Sequence, residues 1–511
     1  MADDVRVVRT PRSLLVPVAE HDPLTERQYD IWWRQLIAGP TRQDAGAPSN
    51  DFPGAYLYEP RARREWFIFY DGAVDWRGTE CGLTVRDGVV HLGLWSEQPL
   101  DGELHVRVER DRPRRERWES LVELLRWCTA SFLPPAREAP PDFGRLAAAA
   151  LAEIRDPDSG LFEIDGVRGH RMYVAGTSEA WRDDEVDHLE LFCQADLAWP
   201  LLAPGEPAPA PGDRAWGEHL AAILGAFYDE RLGVFSNTYP LAQASLHGGN
   251  VVTTREQGRE ATNVWYHMYN HARLLEIALL RPGVAWRDQL RHAIEHTERL
   301  VAANRYLLPL LWWLDDGEPY GAVQDYAAAG AFAWLAVRAW DVFGDERHLE
   351  HAAAALETIW RLPFEHLHAE ALLLPRAAWA ADRLAARDGG RDWERMRDGF
   401  TAATLRMMYW RPPLTGLFNG CAGMLYPAFM ENVQVILALE PFLDATPFPL
   451  RAVAAHTLAS SAGYFDGRPP GPHVPLENVA TPEYPYPGRV GKEIYGTGEV
   501  LWAARLQARL S

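Results

Sequence analysis

Six times along this chain of 511 residues a polar or aromatic cluster opens a long apolar helical run. The openings are Asp184-Glu185-Val186-Asp187, Asn263-Val264-Trp265-Tyr266-His267, Gln324-Asp325-Tyr326, His368-Ala369-Glu370, Glu431-Asn432 and Lys492-Glu493-Ile494-Tyr495. They recur at intervals of roughly 45 to 80 residues, and a more amphipathic helical stretch lies between each pair. Regular alternation of apolar and amphipathic helices predicts an array of helical hairpins, with the apolar helices inside and the amphipathic ones outside. Closed into a ring, such an array gathers all six clusters at one mouth. That mouth is the first place to look for chemistry.

Composition narrows the function classes. Apolar residues make up 47% and charged residues 24%, ordinary values for a soluble globular protein. No run approaches the ~20 apolar residues of a membrane span, and the polar start Met1-Ala2-Asp3-Asp4-Val5-Arg6 lacks an apolar signal segment. Cytoplasmic residence is the expectation. The net charge of −20 argues against nucleic acid and anionic membrane as partners, because both require a basic surface. It leaves room for an anionic small substrate in a locally basic pocket. The four cysteines, Cys81, Cys128, Cys193 and Cys421, show no paired spacing, as expected of free, buried thiols in a reducing compartment.

Residues 1–115 read as a β-rich region. Trp66–Tyr70, Gly82–Val85, Val89–Leu94 and Leu104–Val108 are short β-type runs separated by Asp71-Gly72, Asp87-Gly88 and Asp101-Gly102 turns. They predict one small antiparallel sheet, preceded by a helix near Thr25–Ile37. From residue 116 to 511 the chain reads as mostly helical, with outer helices expected over Trp118–Phe132, Arg214–Tyr228, Trp286–Ala302, Glu346–Trp360, Trp393–Tyr409 and Pro449–Ser461. A further helix over Phe143–Ile154 leaves the first hairpin ambiguous. Pro204–Pro211, Pro469–Pro472 and Pro482–Gly488 are loops that proline keeps from being helical.

The six inner-helix openings and the final helix entry over Gly488–Leu506 make residues 118–511 resemble the (α/α)6-toroid superfamily, the six-hairpin glycosidases and related polysaccharide lyases. The resemblance is one of architecture, and it implies a mainly α fold without assigning catalytic residues. That fold hosts hydrolases, lyases, epimerases and isoprenoid dehydratases, so the reaction must be argued from side chains.

The acids at inner-helix starts come first: Asp187, Glu190, Asp325, Glu431, Glu493 and Glu499. Glycoside hydrolysis needs one carboxylic acid and one carboxylate, and a ring rim can bring such a pair together. Each acid alone is also explained by helix capping. Asp325 stands out because Ala327–Ala331 after it permits close helix packing. His267 and His271 share a helix face at metal-ligand spacing, but no third ligand is evident, so His267 is a proton-transfer candidate and no metal or cofactor is expected. Asn263, Tyr266, Tyr326 and Tyr495 supply lyase-type groups. His247 lies in the Ser245–Asn250 loop, expected at the rim. Lys492 is the sole lysine beside fifty arginines, and its compact ammonium is a candidate for charge stabilisation or binding with Glu493. Of the 21 tryptophans most fill the core, with Trp181, Trp265 and Trp312 as candidate sugar platforms.

The expected activity is cleavage of a glycosidic bond by rim carboxylates, on a small-molecule or oligosaccharide substrate. A uronate-type lyase using Asn263, His267 and Tyr495 is the second possibility, and an isoprenoid dehydratase or cyclase with an apolar cavity the third. A non-enzymatic scaffold comes last, having no need of ionisable groups at helix mouths. The polarity of the ring interior separates them.

Overall fold

The computed structural model describes residues 7–20, 30–31, 54–59, 62–72, 79–86, 89–96, 99–133, 139–154, 161–170, 188–205, 208–241, 245–247, 250–256, 258–367, 370–388, 391–410, 414–420, 427–464 and 496–510. Its thirteen described helices are α1 (Arg117–Phe132), α2 (Phe143–Glu153), α3 (Leu191–Leu202), α4 (Pro211–Ile223), α5 (Val264–Leu280), α6 (Arg287–Ala303), α7 (Ala328–Phe343), α8 (Arg347–Trp360), α9 (Leu373–Asp388), α10 (Arg391–Leu405), α11 (Phe429–Leu439), α12 (Leu450–Ser460) and α13 (Gly496–Leu510).

Local chemistry sets the limits of several. Asp142 caps α2 by accepting from the Arg145 N–H at 2.9 Å, and Asn263 caps α5 by accepting from the Trp265 N–H at 3.1 Å. Gly344, at φ 73°, closes α7 in the left-handed conformation that glycine adopts without strain.

The helices α3, α5, α7, α9, α11 and α13 form the inner ring, each packing on the next and α13 returning to α3. Five outer helices follow their inner partners: α4 on α3, α6 on α5, α8 on α7, α10 on α9 and α12 on α11. The sixth outer position belongs to α2, which packs on the last inner helix and closes the circle. The ambiguity of the first hairpin is thus resolved against Trp118–Phe132. That segment, α1, lies outside the ring against α10, with Trp118 stacked on Trp360 at 4.6 Å.

Inner helices are apolar because both faces are covered. All twelve residues of Ala328–Ala336, Val337, Ala339 and Val342 on α7 are buried, whereas α6 buries one stripe, including Leu290, Ala293, Ile294 and Val301. Close approach needs small residues. A Cβ on Gly498 of α13 would sit 2.4 Å from the Asp196 carbonyl of α3. Pro200, four residues on, has no N–H to give that carbonyl, so the turn is open where α13 presses in. Gly330 of α7 meets α9 in the same way, since a Cβ there would sit 2.8 Å from the Leu373 carbonyl oxygen.

The N-terminal strands form two four-stranded antiparallel sheets, a correction to the single small sheet expected. One has the order Val8–Thr10, Ser13–Glu20, Val89–Ser96, Thr79–Arg86; the other is Asp30–Ile31, Gly54–Glu59, Arg64–Tyr70, Leu104–Glu109. The expected hairpin partners divide between them. Asp30–Ile31 lies within the helix expected near Thr25–Ile37 but is strand, paired with Leu57 and Tyr58; the rest of that span is outside the described residues. The second sheet seats on α1 through Phe69, which stacks on Phe132 at 4.7 Å and meets Trp410 edge-on at 5.6 Å. A further four-stranded antiparallel sheet includes strand Arg259–Asn263, which delivers the chain to the start of α5.

Cys128 and Cys193 are both buried. Among the described residues no helix is long and apolar enough to cross a membrane.

Candidate active site

Buried polar side chains from the inner helices meet along the ring axis. Arg273 of α5 donates from Nε to Asp196 of α3 at 2.6 Å and from its terminal nitrogens to Tyr269 Oη at 2.6 Å, Gln434 Oε1 of α11 at 3.2 Å and Glu276. Tyr269 Oη donates to Asp196 at 3.0 Å. Arg376 of α9 also donates to Gln434 Oε1, and Gln434 Nε2 donates to Glu499 of α13 at 2.7 Å. From α7 come Arg338, 3.3 Å from Glu276, and Trp334, whose ring lies 4.1 Å below the Arg376 guanidinium. Asp196, Tyr269 and Gln434 are each the sixth residue of their helix, and Arg376 and Glu499 each the fourth. Contact at matching depths shows that the inner helices run in parallel, with their N-terminal ends at one mouth.

Nearer that mouth stand Asp325 and Glu431. Asp325 is 1% exposed, and its Oδ1 accepts from the Ala328 N–H at 3.3 Å at the start of α7. Capping therefore accounts for one oxygen. Its Oδ2 has no partner among the described residues. Glu431, in the first turn of α11, is buried, and its Oε2 is likewise without a partner there; the same holds for Glu499 Oε2. Burial without a cation raises Asp325 and Glu431 each to about 7. Glu499 is pushed well above the usual carboxylate range by burial and by the nearby Asp196 and Glu431 charges. The axis thus carries three carboxyls poised to hold protons, two of them titrating near neutrality.

This arrangement makes folding pH-dependent with a defined sign. In the unfolded chain Asp and Glu ionise near ~3.9 and ~4.3, whereas the folded groups keep their protons to about 7. Between those values the folded state binds more protons, so stability is fullest below about pH 4 and is lost as pH rises towards about 7, by at most roughly 3–4 kcal/mol per group. Urea unfolding of the wild type and of Asp325→Asn/Glu431→Gln across that window should show the wild type losing stability relative to the variant. A difference independent of pH would mean ordinary titration of both carboxyls.

The remaining sequence candidates sit as follows. His267, expected to transfer protons, faces away from the axis: Nε2 is 2.9 Å from Thr297 Oγ1 of the outer helix α6, and Trp312 packs edge-on at 5.6 Å. Burial and His271 hold its pKa well below the usual value. His267 and His271 lie 4.2 Å apart, and no metal-binding group of three or more side chains occurs among the described residues. Trp265 and Trp312, proposed as sugar platforms, are 4% and 0% exposed and fill the core. Asn263 caps its helix, and Tyr266 packs between Trp265 and Phe192. Tyr326 is half-buried beside Asp325, and Glu190 lies 3.4 Å from His188 just before α3. His247 falls in strand Ser245–His247 rather than an irregular loop. Asp187, Trp181, Lys492, Glu493 and Tyr495 lie outside the described residues.

The axial network of Asp196, Tyr269, Arg273, Arg376 and Gln434 lies inside the helices rather than at their openings. Its signal was present: an arginine before Leu274-Leu275 and a glutamine between Val433 and Val435 interrupt apolar runs that have no solvent face.

No family model matches the sequence, and no curated protein matches it. Among solved structures, a cellobiose 2-epimerase from Bacillus thermoamylovorans B4167 superposes with a TM-score of 0.50 at 11% identity, covering 71% of this chain and 98% of that one. It adds to the closed inner ring. The chain is an (α/α)6 toroid. A cellobiose 2-epimerase from Spirochaeta thermophila DSM 6192 aligns at a TM-score of 0.46 and 12% identity over 72% of this toroid's chain and 97% of its own. A family 76 glycoside hydrolase from a bovine Bacteroides thetaiotaomicron strain aligns at 0.43 and 9% over 99% of both chains.

Proposed function

We propose that this toroid is a carbohydrate-active enzyme that cleaves a glycosidic bond by acid/base catalysis at the mouth of its inner ring. The observation that carries this reading is the pair Asp325 and Glu431, buried acids at the starts of α7 and α11, each with an unpartnered oxygen among the described residues and each raised to about 7. Hydrolysis requires one carboxyl that gives a proton to the leaving oxygen and one that takes a proton from water or attacks the sugar. Two groups titrating near neutrality can supply both states at once. The fold is also that of a cellobiose 2-epimerase, a sugar enzyme. Elimination by Asn263 and His267 finds no support, since one caps its helix and the other faces α6. A sealed apolar cavity for isoprenoids is at odds with the charged axis. The free, buried Cys128 suits residence in a reducing compartment.

The test is a screen of purified protein against aryl glycosides, neutral oligosaccharides and uronate-containing oligosaccharides, read by product mass. Addition of one water supports hydrolysis. Unsaturated products indicate elimination, and a product of unchanged mass indicates isomerisation or epimerisation; either outcome overturns the proposal.

A further inference from the structure

We infer that Arg376 is the anion-binding residue of a subsite on the ring axis, and that the saccharide it takes carries a carboxylate. The inference rests on the saccharide reading above and adds the charge of the substrate.

Three guanidinium groups approach one another: Arg273 and Arg376, both buried, and the half-buried Arg338. Arg273 is held by Asp196 and Glu276, and Arg338 by Glu276 and by Asp341 at 3.1 Å. Arg376 has no carboxylate partner among the described residues. It donates to the neutral amide oxygen of Gln434, lies on the Trp334 face, and leaves Nε without an acceptor there although only 3% of the residue is exposed. Glu276 acts on it electrostatically, and that group already serves two other arginines. Glu499, at the far side of Gln434, bonds to the Gln434 amide and not to Arg376.

A buried cation without a counter-ion costs several kcal/mol, and folding alone gives no reason to keep it. A ligand carboxylate removes that cost. Guanidinium matches a carboxylate in planarity and hydrogen-bond spacing, and its attraction is strengthened where water is excluded. The carboxylate of a uronic acid supplies the acceptor that the Arg376 guanidinium lacks. Arg376 stands in the first turns of α9, which packs directly on α7 and α11, the helices that begin at Asp325 and Glu431. A uronic acid held there would lie beside the proposed acids.

The test is calorimetric titration of the full chain with glucuronate, glucose and acetate, using wild type, Arg376→Lys and Arg376→Met, with thermal unfolding as the check on folding. The expected result is glucuronate binding at least about 10-fold tighter than glucose. Arg376→Met should abolish that preference, leave glucose binding within about twofold, and keep or raise the unfolding temperature. Arg376→Lys should retain part of the preference. Acetate binding as tight as glucuronate would show a carboxylate site without a saccharide requirement and overturn the uronate assignment. Equal binding of glucose and glucuronate, binding of neither, or an undiminished preference in folded Arg376→Met would overturn the inference. Hydrolysis of neutral glycosides with no glucuronate preference would reject this inference alone. Arg376-dependent glucuronate binding without any hydrolysis would reject the hydrolase reading alone.

Discussion

Asp325→Asn should lower turnover at least ~100-fold while leaving the protein folded. The substitution separates the two duties of this side chain. Its Oδ1 accepts from the Ala328 N–H and so caps α7, and an asparagine oxygen can do the same. Its Oδ2 has no partner among the described residues and belongs to a carboxyl that titrates at about 7. Only the ability to exchange a proton is lost. At neutral pH the buried carboxyl carries its proton about half the time, so an amide of the same shape should hold or raise stability, as urea unfolding would record. Steady-state turnover on whichever glycoside the screen identifies then reports the chemistry. Near-normal turnover with unchanged stability would return Asp325 to the role of a helix cap, and Glu431 would lose its proposed partner.

Arg273→Met should destabilise the fold by about 3–5 kcal/mol, the usual consequence of removing one member of a buried ionic network. Arg273 is fully buried and bonds to Asp196, Glu276, Tyr269 and Gln434, drawing together α3, α5 and α11. Its guanidinium also lies 3.5 Å over the Trp199 ring. Without it, two carboxylates remain in the interior with their strongest counter-charge gone. Arg376→Met should behave in the opposite way, because it removes a buried cation that no carboxylate contacts among the described residues. Denaturant unfolding of the two variants side by side checks the contrast. A loss below about 1 kcal/mol for Arg273→Met would mean that the network is dispensable to the ring.

The sequence carried the ring because a ring is made of local properties. Apolar runs at helical spacing, Asn263 and Asp325 at helix starts and the small-residue stretch after Asp325 act within a few residues of themselves. They therefore specify which segments are inner helices before any long-range contact is known. The same locality explains the two errors of arrangement. Trp118–Phe132 has the pattern of an outer helix, but α2 occupies the sixth position because closing the ring depends on what packs beside α13, nearly 400 residues along the chain. The strands of the N-terminal region were legible as strands, yet their division between two sheets depends on partners such as Ser13–Glu20 and Gly54–Glu59.

The site was legible in kind, with acids at inner-helix starts, and illegible in membership. His267 and Tyr269 are two residues apart on α5, which turns them to opposite sides of the helix. Tyr269 meets Asp196 and Arg273 on the axis, and His267 meets Thr297 on the outer ring. No property of either residue type chooses between those directions; the choice is made by where five other helices stand. Burial is decided at the same level. Asp325 and Glu431 are ordinary acids in sequence, and only the closed ring removes the water and cations that would otherwise hold them ionised.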